Sequence, residues 1–291
     1  MEVTVLEVII SPAKQMRIAR DAFSPKGIPP YPTETERLWR ALCAIERKTG
    51  AAGLKALWNV NDKLLAENIE RLHAFIPVAD ERALDEPAVA AVASAAVFSY
   101  VGIQYRSMAP EVMDLGALDW IQDHLWILSA LYGCVRPFDA VEPYRLEMGA
   151  KLAVDGARDL YGFWSDKLAR AIAPSDAGSD GQPSASDAGC TVVNLASAEY
   201  ARAVLPHLRA TDRVVTCIFG EDLRAGKPVQ RATASKIARG SMVRWMAEHH
   251  IEDARELKGF DIGYRFDPEL SATAAAPRTP ASSEVLVFMR A

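Results

Sequence analysis

The sequence lacks the features that mark several broad classes of protein. Its four cysteines lie far apart with no CxxC pair, and the one close pair among its five histidines is His249-His250. Because neighbouring residues on a helix point to different faces, we expect no zinc site, and we expect no other metal or cofactor. The longest weakly apolar run, residues 88–103, is shorter than the roughly 20 residues that a membrane span needs, and the N-terminus has no basic leader. These absences predict a cytoplasmic protein that does not interact with membranes.

Short motifs of familiar catalytic sites are also missing. The chain contains no GxSxG, GxGxxG or HExxH, and Gly220-x5-Gly226-Lys227 misses the spacing of a phosphate-binding P-loop. Ser11-x-x-Lys14 matches one element of the penicillin-recognising enzymes, but the other elements are absent or out of order. The formal net charge of -5 argues against a uniformly basic nucleic-acid binder, although it permits a local cationic surface.

The patterns that are present predict a mixed α/β fold. The composition, 50% hydrophobic and 24% charged, is typical of a soluble globular protein. Because strands lie near both termini, we predict one domain over residues 1–291, whose central sheet includes both terminal strands and is flanked by helices. Two low-complexity segments, 174–189 and 271–283, predict flexible surface insertions. The predicted strands are 3–10, 95–100, 191–193, 214–219 and 285–288, and the predicted helices are 33–48, 61–75, 118–132, 160–173 and 235–250.

The segment that follows the predicted helix 118–132 combines charge with rigidity. Arg136, Asp139, Glu142, Arg145 and Glu147 lie within twelve residues, and two prolines separate them. Such a segment favours a site that holds charged groups still. In the alternative interpretation, Arg136 and Arg145 anchor Asp139 or Glu147 in internal ion pairs and contact no ligand.

Two predicted strands end in polar clusters. Ser11 and Lys14 follow the first strand, and the second polar cluster follows the strand at 191–193. Ligands bind at the carboxyl ends of strands in α/β sheets, so these clusters are candidate binding residues. A helix cap would explain Asn194 or Ser197 equally well, but not the whole cluster. The second cluster comprises Asn194, Ser197, Glu199 and Tyr200.

The predicted helix 235–250 carries two cations one turn apart. Lys236 and Arg239 lie on the flank of its apolar arc, next to Gly240. A glycine beside two cations favours the close approach of an anion or a nucleic-acid backbone. The alternative is an ordinary solvated helix edge. The apolar arc consists of Ala238, Met242, Trp245 and Met246.

Taken together, six blocks in order resemble one family over nearly the whole chain, the YaaA (DUF328, UPF0246) peroxide-stress proteins. The resemblance implies a bacterial protein of the hydrogen-peroxide response, a mixed α/β fold with a basic cleft, a helix-hairpin-helix-like element and DNA binding, without an established reaction. The blocks are Ile10-Ser-Pro-Ala-Lys14, residues 128–139, residues 143–149, Leu160-Tyr-Gly-Phe-Trp164, residues 194–200 and Lys236-Ile-Ala-Arg-Gly240.

Two positions depart from the family pattern. Ile237 stands where the family tends to have a second lysine, and Ala130 stands where it tends to have glycine. The best local candidate for the helix-hairpin-helix turn is residues 131–135, around Gly133, which would hold backbone phosphate through main-chain N–H groups. The region 61–75 is a second possibility.

Two functional hypotheses follow. In the first, one cleft contacts DNA phosphates through Lys14, Arg136, Arg145, Lys236 and Arg239, with hydrogen bonds or close approach from Ser11, Gly133, Tyr144, Asn194, Ser197, Tyr200 and Gly240. In the second, an enzyme acts on a phosphate-bearing or nucleic-acid substrate, with Glu147, Glu199 and Asp139 as acid/base groups. Carboxylates that face the cleft unpaired favour the enzyme, and carboxylates paired with arginines favour the DNA-binding protein. No His, Cys and carboxylate cluster has metal-ligand spacing, so direct iron binding is not favoured.

Overall fold

The structure is a computed structural model that describes residues 5–174 and 189–291. The strands are β1 Leu6–Ile10, β2 Gln15–Met16, β3 Ser94–Ala95, β4 Tyr100–Val101, β5 Leu125–Ser129, β6 Gly133–Val135, β7 Ala140–Val141, β8 Thr191–Asn194, β9 Arg213–Gly220, β10 Asp222–Arg224, β11 Lys227–Val229, β12 Tyr264–Asp267 and β13 Ser282–Arg290. The α-helices are α1 Pro32–Trp58, α2 Asp62–Ala74, α3 Pro87–Ala90, α4 Ala96–Ser99, α5 Ile103–Met108, α6 Leu115–His124, α7 Leu160–Trp164, α8 Lys167–Ile172, α9 Ala198–Ala201, α10 Ala232–Glu248 and α11 Pro268–Thr273. Short 3₁₀ helices cover Glu81–Asp85, Pro110–Val112, Leu205–His207 and Ala254–Gly259.

The chain packs into two compact units. The first contains the described parts of Met1–Ser11, Gly102–Trp126 and Asp166–Ala291. The second contains Pro12–Val101 and Ile127–Ser165. No helix in the described parts of the chain is long and apolar enough to cross a membrane.

The predicted mixed α/β class is confirmed by the main sheet. Its seven strands follow the order β12-β13-β9-β8-β1-β5-β6. In the first unit, β13 pairs with β9, β9 with β8 and β8 with β1, all in parallel, and β12 is antiparallel to β13. The prediction that strands near both termini join one sheet is also confirmed. All five residues of β1 are buried, as expected for a parallel strand with both faces covered.

The second unit contains the long helix α1 and the helix α2, which pack against each other. Gly50 interrupts the helical geometry of α1, and Asn59, in the left-handed conformation at φ 49°, ends it. Asn61 then caps α2 by accepting a hydrogen bond from the Leu64 amide at 3.0 Å. The predicted helices 33–48 and 61–75 are therefore confirmed, and they form a helical hairpin with a three-residue connection at positions 59–61.

The predicted helix 118–132 is wrong in its second half. Helix α6 ends at His124, and Leu125–Ser129 is the fully buried strand β5. The spacing of Ile121, Leu125 and Leu128 fits a helix, but a short run that is apolar on every side fits a buried strand equally well. Burial on both faces makes this segment a strand, and the hydrophobic periodicity of a sequence does not detect such burial.

The same finding corrects the first candidate for the helix-hairpin-helix turn. Residues 130–132 connect β5 to β6, which pair in antiparallel orientation, so residues 131–135 belong to a β-hairpin and not to a turn between helices. Gly133 has φ +79°, and a Cβ atom there would lie 2.8 Å from the ring of Trp164. The glycine is therefore needed for the hairpin and for the packing of Trp164.

Two smaller predictions differ from the structure. Within the predicted strand 95–100, Ala96–Ser99 form a helical turn, α4, between the short strands β3 and β4. The predicted helix 160–173 is divided into α7 and α8 at Ser165, which has φ 48°. The low-complexity segment 271–283 overlaps α11 and β13, and the Thr279 hydroxyl donates a hydrogen bond to the Leu205 carbonyl oxygen at 2.7 Å. Most of the segment 174–189 lies outside the described residues.

Helix α10 approaches α5 closely at Gly240. A Cβ atom at this position would lie 2.0 Å from the carbonyl oxygen of Gln104 and 3.0 Å from the amide nitrogen of Met108. The predicted apolar arc of α10 is buried as expected, with Ala238 and Met242 almost inaccessible. The close approach at Gly240 is thus to a neighbouring helix of the protein.

We expect Gly240→Ala to destabilise the protein, because the added methyl group meets backbone atoms that cannot rotate away. Overpacking of this kind costs about 1–3 kcal/mol of unfolding free energy, to be measured by urea denaturation. Gly162→Ala is the matched control, since its Cβ would be 3.6 Å from its nearest neighbours. Equal midpoints for the two variants would contradict this account of α10 packing.

Candidate functional site

In the first unit, Ser11 of the first polar cluster meets the second cluster. Parallel pairing sets Ile9 of β1 beside Asn194 of β8. Just beyond, the Ser11 hydroxyl accepts a hydrogen bond from the Ser197 amide at 2.8 Å and lies 3.1 Å from the Ser197 hydroxyl. The Tyr105 hydroxyl donates to the Ser11 carbonyl oxygen at 3.0 Å. The sheet therefore brings Ser11 and Ser197 together, as their positions after neighbouring strands suggested.

The other members of the second cluster are largely internal. Asn194 is 5% exposed, accepts a hydrogen bond from the Ala196 amide at 3.1 Å and donates to the Thr216 hydroxyl at 3.3 Å. It shapes the turn after β8, close to the capping role considered from the sequence. Tyr200 is also buried, and Glu199, half-buried, lies in the first turn of the short helix α9.

The first two turns of α10 carry donors that the fold leaves unsatisfied. The Ser235 hydroxyl is buried and has no hydrogen-bond partner in the described part of the chain, and the same holds for Nε of Arg239. These residues are four apart and therefore lie on one face of the helix. Lys236, beside Ser235, is exposed. This arrangement of one hydroxyl and two cations suits an anion.

Burial affects the charge balance around Arg239. Burial lowers the pKa of the Arg239 guanidinium, and the nearby Cys217 thiol has the opposite, smaller effect on that pKa. Burial also raises the pKa of Cys217 to about 12, so the thiol is protonated and uncharged near neutral pH. Glu284, the other acid near Cys217, forms an ion pair with Arg213. Cys217 therefore supplies no counter-charge to Arg239.

In the second unit, the segment 136–139 folds into a tight turn around a buried carboxyl group. The Arg136 amide donates a hydrogen bond to Oδ2 of Asp139 at 2.8 Å, and the Asp139 amide donates to the Arg136 carbonyl oxygen at 3.1 Å. Burial raises the pKa of Asp139 to about 7, against the lowering effects of this hydrogen bond and of the Arg136 charge. The side chain of Glu81 adds to the increase.

Glu147 forms ion pairs with two cations. Its carboxylate lies 2.8 Å from Nζ of Lys14 and 2.5 Å from Nη2 of Arg145. Arg145 also donates to the Lys14 carbonyl oxygen at 3.3 Å. The anchoring interpretation of Arg145 thus holds for Glu147, and three of the proposed site residues form one local cluster.

Tyr144 is an internal residue. It is 8% exposed, and its hydroxyl lies 2.7 Å from the Ser129 hydroxyl and 3.3 Å from that of Tyr100. Burial raises the pKa of Tyr144. Its hydroxyl is therefore used within the second unit.

A cationic recess in the second unit was missed by the sequence reasoning. Three arginines line it, together with Glu142, and its volume is about 330 Å³. Both carboxylate oxygens of Glu142 lie 3.2 Å from the Ile76 amide nitrogen, and burial raises the pKa of this carboxyl to about 7. The arginines are Arg17, Arg20 and Arg71, which come from the loop after Lys14 and from α2.

One signal could have pointed to this recess. Arg17 and Arg20 stand three residues apart in a segment that has little regular structure, directly after the first candidate cluster. Arg71 is distant in sequence and lies on a helix whose other charges are ordinary surface residues. Only the tertiary structure shows that it shares a recess with Glu142.

We expect the buried carboxyl groups of Asp139 and Glu142 to make the stability of the fold decrease as pH rises. Unfolded Asp and Glu have pKa values near about 4, whereas Asp139 and Glu142 titrate at about 7 in the fold. The folded state therefore binds more protons than the unfolded state across this interval. Their stabilising contribution is complete below about pH 4 and is lost through pH 7, on the order of 4 kcal/mol for each group.

Thermal and urea unfolding between about pH 4 and pH 8 will test this expectation. Asp139→Asn and Glu142→Gln should each flatten the slope. Asp253→Asn is the control, because hydrogen bonds from Arg255 lower the pKa of Asp253 to about 2, so its effect falls below this range. A slope that neither of the first two variants changes would contradict the assignment.

Comparison with known proteins identifies the family of this chain. A family model described as peroxide stress protein YaaA matches residues 6–270. A UPF0246 protein of Pediococcus pentosaceus is 39% identical over 92% of this chain and 95% of its own length. A UPF0246 protein of Desulfitobacterium hafniense is 38% identical over 91% and 94%, and one of Lactiplantibacillus plantarum is 39% identical over 91% and 96%. The chain therefore belongs to the YaaA family of peroxide stress proteins.

Proposed function

We propose that this protein acts in the peroxide stress response by binding the sugar-phosphate backbone of DNA in the cytoplasm, with Lys236 and Arg239 as principal contacts. The observation that carries the proposal is the environment of Arg239. Its guanidinium is half-buried, and its Nε is buried with no hydrogen-bond partner among the described residues. A buried charge without a counter-charge is costly, and a phosphate oxygen is the kind of group that offsets this cost.

The start of α10 supports the same chemistry. Ser235 adds an unsatisfied hydroxyl on the face of Arg239, and the N-cap residue Arg231 makes no side-chain cap. The first-turn amides of this 17-residue helix, with the positive end of its dipole, favour an anion at that end. A phosphate would thus receive main-chain and guanidinium hydrogen bonds without any base contact.

The helical hairpin of α1 and α2 offers a second contact in the other unit. Its connection is short, Asn59 has a positive φ, and Lys63 is exposed in the first turn of α2. We propose that this hairpin is the helix-hairpin-helix-like element, which holds a phosphate through main-chain N–H groups. The second sequence candidate, residues 61–75, provides its second helix.

The remaining predicted contacts have weaker support. Lys14 and Arg145 share Glu147, so their cluster carries one net positive charge instead of two. Tyr144 and Tyr200 are buried, and Gly240 faces α5. The enzyme alternative needs a free acid or base, and Glu147 is paired with two cations. The Asp139 carboxyl is used within the turn 136–139, where it accepts a hydrogen bond from the Arg136 amide.

We expect Lys236→Gln and Arg239→Gln each to weaken DNA binding about tenfold, equally for different sequences, because phosphate contacts carry no base readout. Fluorescence anisotropy with duplex and branched DNA, between about 50 and 200 mM salt, will measure the affinity and its salt slope. Each variant should reduce that slope by about one counterion.

Arg244→Gln is the matched control, since Arg244 lies on the same helix and is paired with Glu248 at 2.7 Å. Arg244→Gln removes one positive charge from α10, as Arg239→Gln does, but it removes no unsatisfied donor. Absence of binding by the unmodified protein at the lower salt concentration would overturn the proposal. So would equal losses for Arg239→Gln and the control.

A further inference from the structure

The cationic recess of the second unit combines three kinds of lining group. Arg17, Arg20 and Arg71 supply positive charge, and Glu142 supplies a buried carboxyl. Its apolar lining comes from Ile18, Ala74, Val92 and Pro143. A volume of about 330 Å³ lies at the lower end of the range for small-molecule sites, which excludes a duplex but admits one small ligand.

Two of the arginines are held in place by the fold. Arg71 donates to the Met16 carbonyl oxygen at 3.0 Å and to the Asn68 side chain at 3.3 Å, and it pairs with Glu67. Arg17 donates from Nε to the Phe98 carbonyl oxygen at 3.3 Å. Fixed guanidinium groups lose little conformational entropy when they bind a doubly charged phosphate, and their planar fork matches its oxygens.

The pKa of the Glu142 carboxyl is about 7, because burial raises it and the hydrogen bond from the Ile76 amide lowers it. Near neutral pH a large share of the molecules carry the protonated carboxyl, which presents one donor and one acceptor side by side. This pair complements the donor and acceptor edge of a nucleobase.

We propose that this recess binds a single nucleotide, with its 5′-phosphate on Arg17, Arg20 and Arg71 and its base edge on the Glu142 carboxyl. The apolar side chains would contact the faces of the sugar and base. The site lies in the second unit and does not use the contacts of α10, so it goes beyond backbone binding. The nucleotide is either free or the 5′-phosphorylated end of a DNA strand, since both present the same group.

Calorimetry on the full-length protein tests the small ligand, with nucleoside 5′-monophosphates, ribose 5-phosphate and inorganic phosphate as probes. We expect a monophosphate to bind at least tenfold more tightly than ribose 5-phosphate. Arg20→Gln should weaken all three probes, and Glu142→Met should abolish the preference for the base. Glu142→Gln should retain it, because the amide keeps one donor and one acceptor.

Arg20 and Arg82 are both exposed, so neither replacement is expected to disturb folding, and Arg82→Gln is the charge-matched control outside the recess. A second measurement compares one oligonucleotide with a 5′-phosphate and with a 5′-hydroxyl. A preference for the phosphate that Arg20→Gln removes would identify a strand end as the source, and binding of the monophosphate alone would identify the free nucleotide.

The proposal is overturned if neither ligand binds, or if Arg20→Gln and Arg82→Gln behave alike. The outcome is separate from that of the backbone proposal. Failure of Lys236→Gln and Arg239→Gln to affect duplex binding would leave the nucleotide result unchanged, and loss of nucleotide binding would leave the duplex result unchanged.

Discussion

The contact between α10 and α5 at Gly240 is the constraint on which the first unit depends. A backbone-to-backbone approach cannot adjust by a change of rotamer, so it fixes both the rotation and the height of α10. The residues immediately before Gly240 are positioned by this contact. Arg239 is thereby held half-buried beside Cys217, and Ser235 is held on the same face of the helix. The packing at Gly240 thus places a cation with an unsatisfied buried donor on the same helix face as an unsatisfied hydroxyl.

The division between paired and unpaired charge separates the candidate residues better than their identity does. Lys14 and Arg145 look as suitable for phosphate binding in the sequence as Arg239 does. Because both contact Glu147, one of their two positive charges is cancelled where they stand. Arg239 has a protonated thiol as its neighbour, and a neutral group cancels nothing. Local charge balance therefore identifies the candidate contacts, whereas a net charge of -5 for the chain does not.

The fold could be predicted where one physical effect dominates. Strand β1 and helix α2 were evident because a β-branched run and a capped amphipathic helix have few alternatives. Strand β5 was not predicted, because its apolar residues fit the periodicity of a helix as well as that of a strand. At the site, the meeting of Ser11 and Ser197 followed from parallel strand ends, but the partners of Glu147 did not, since Lys14 is distant in sequence. The recess with Arg71 and Glu142 required tertiary contacts that leave no local pattern.

The buried carboxyl group of Glu142 connects stability to electrostatics in the second unit. Ionised Glu142 would repel a phosphate in the recess that it lines, and burial works against that ionisation. Near neutral pH Glu142 therefore contributes less than a full negative charge, so the neighbouring arginines act with less opposition. Ionisation of Glu142 at higher pH would restore the repulsion and weaken the fold through the same carboxyl group. Its burial thus keeps the recess positive at neutral pH and ties that positive potential to the stability of the unit that holds it.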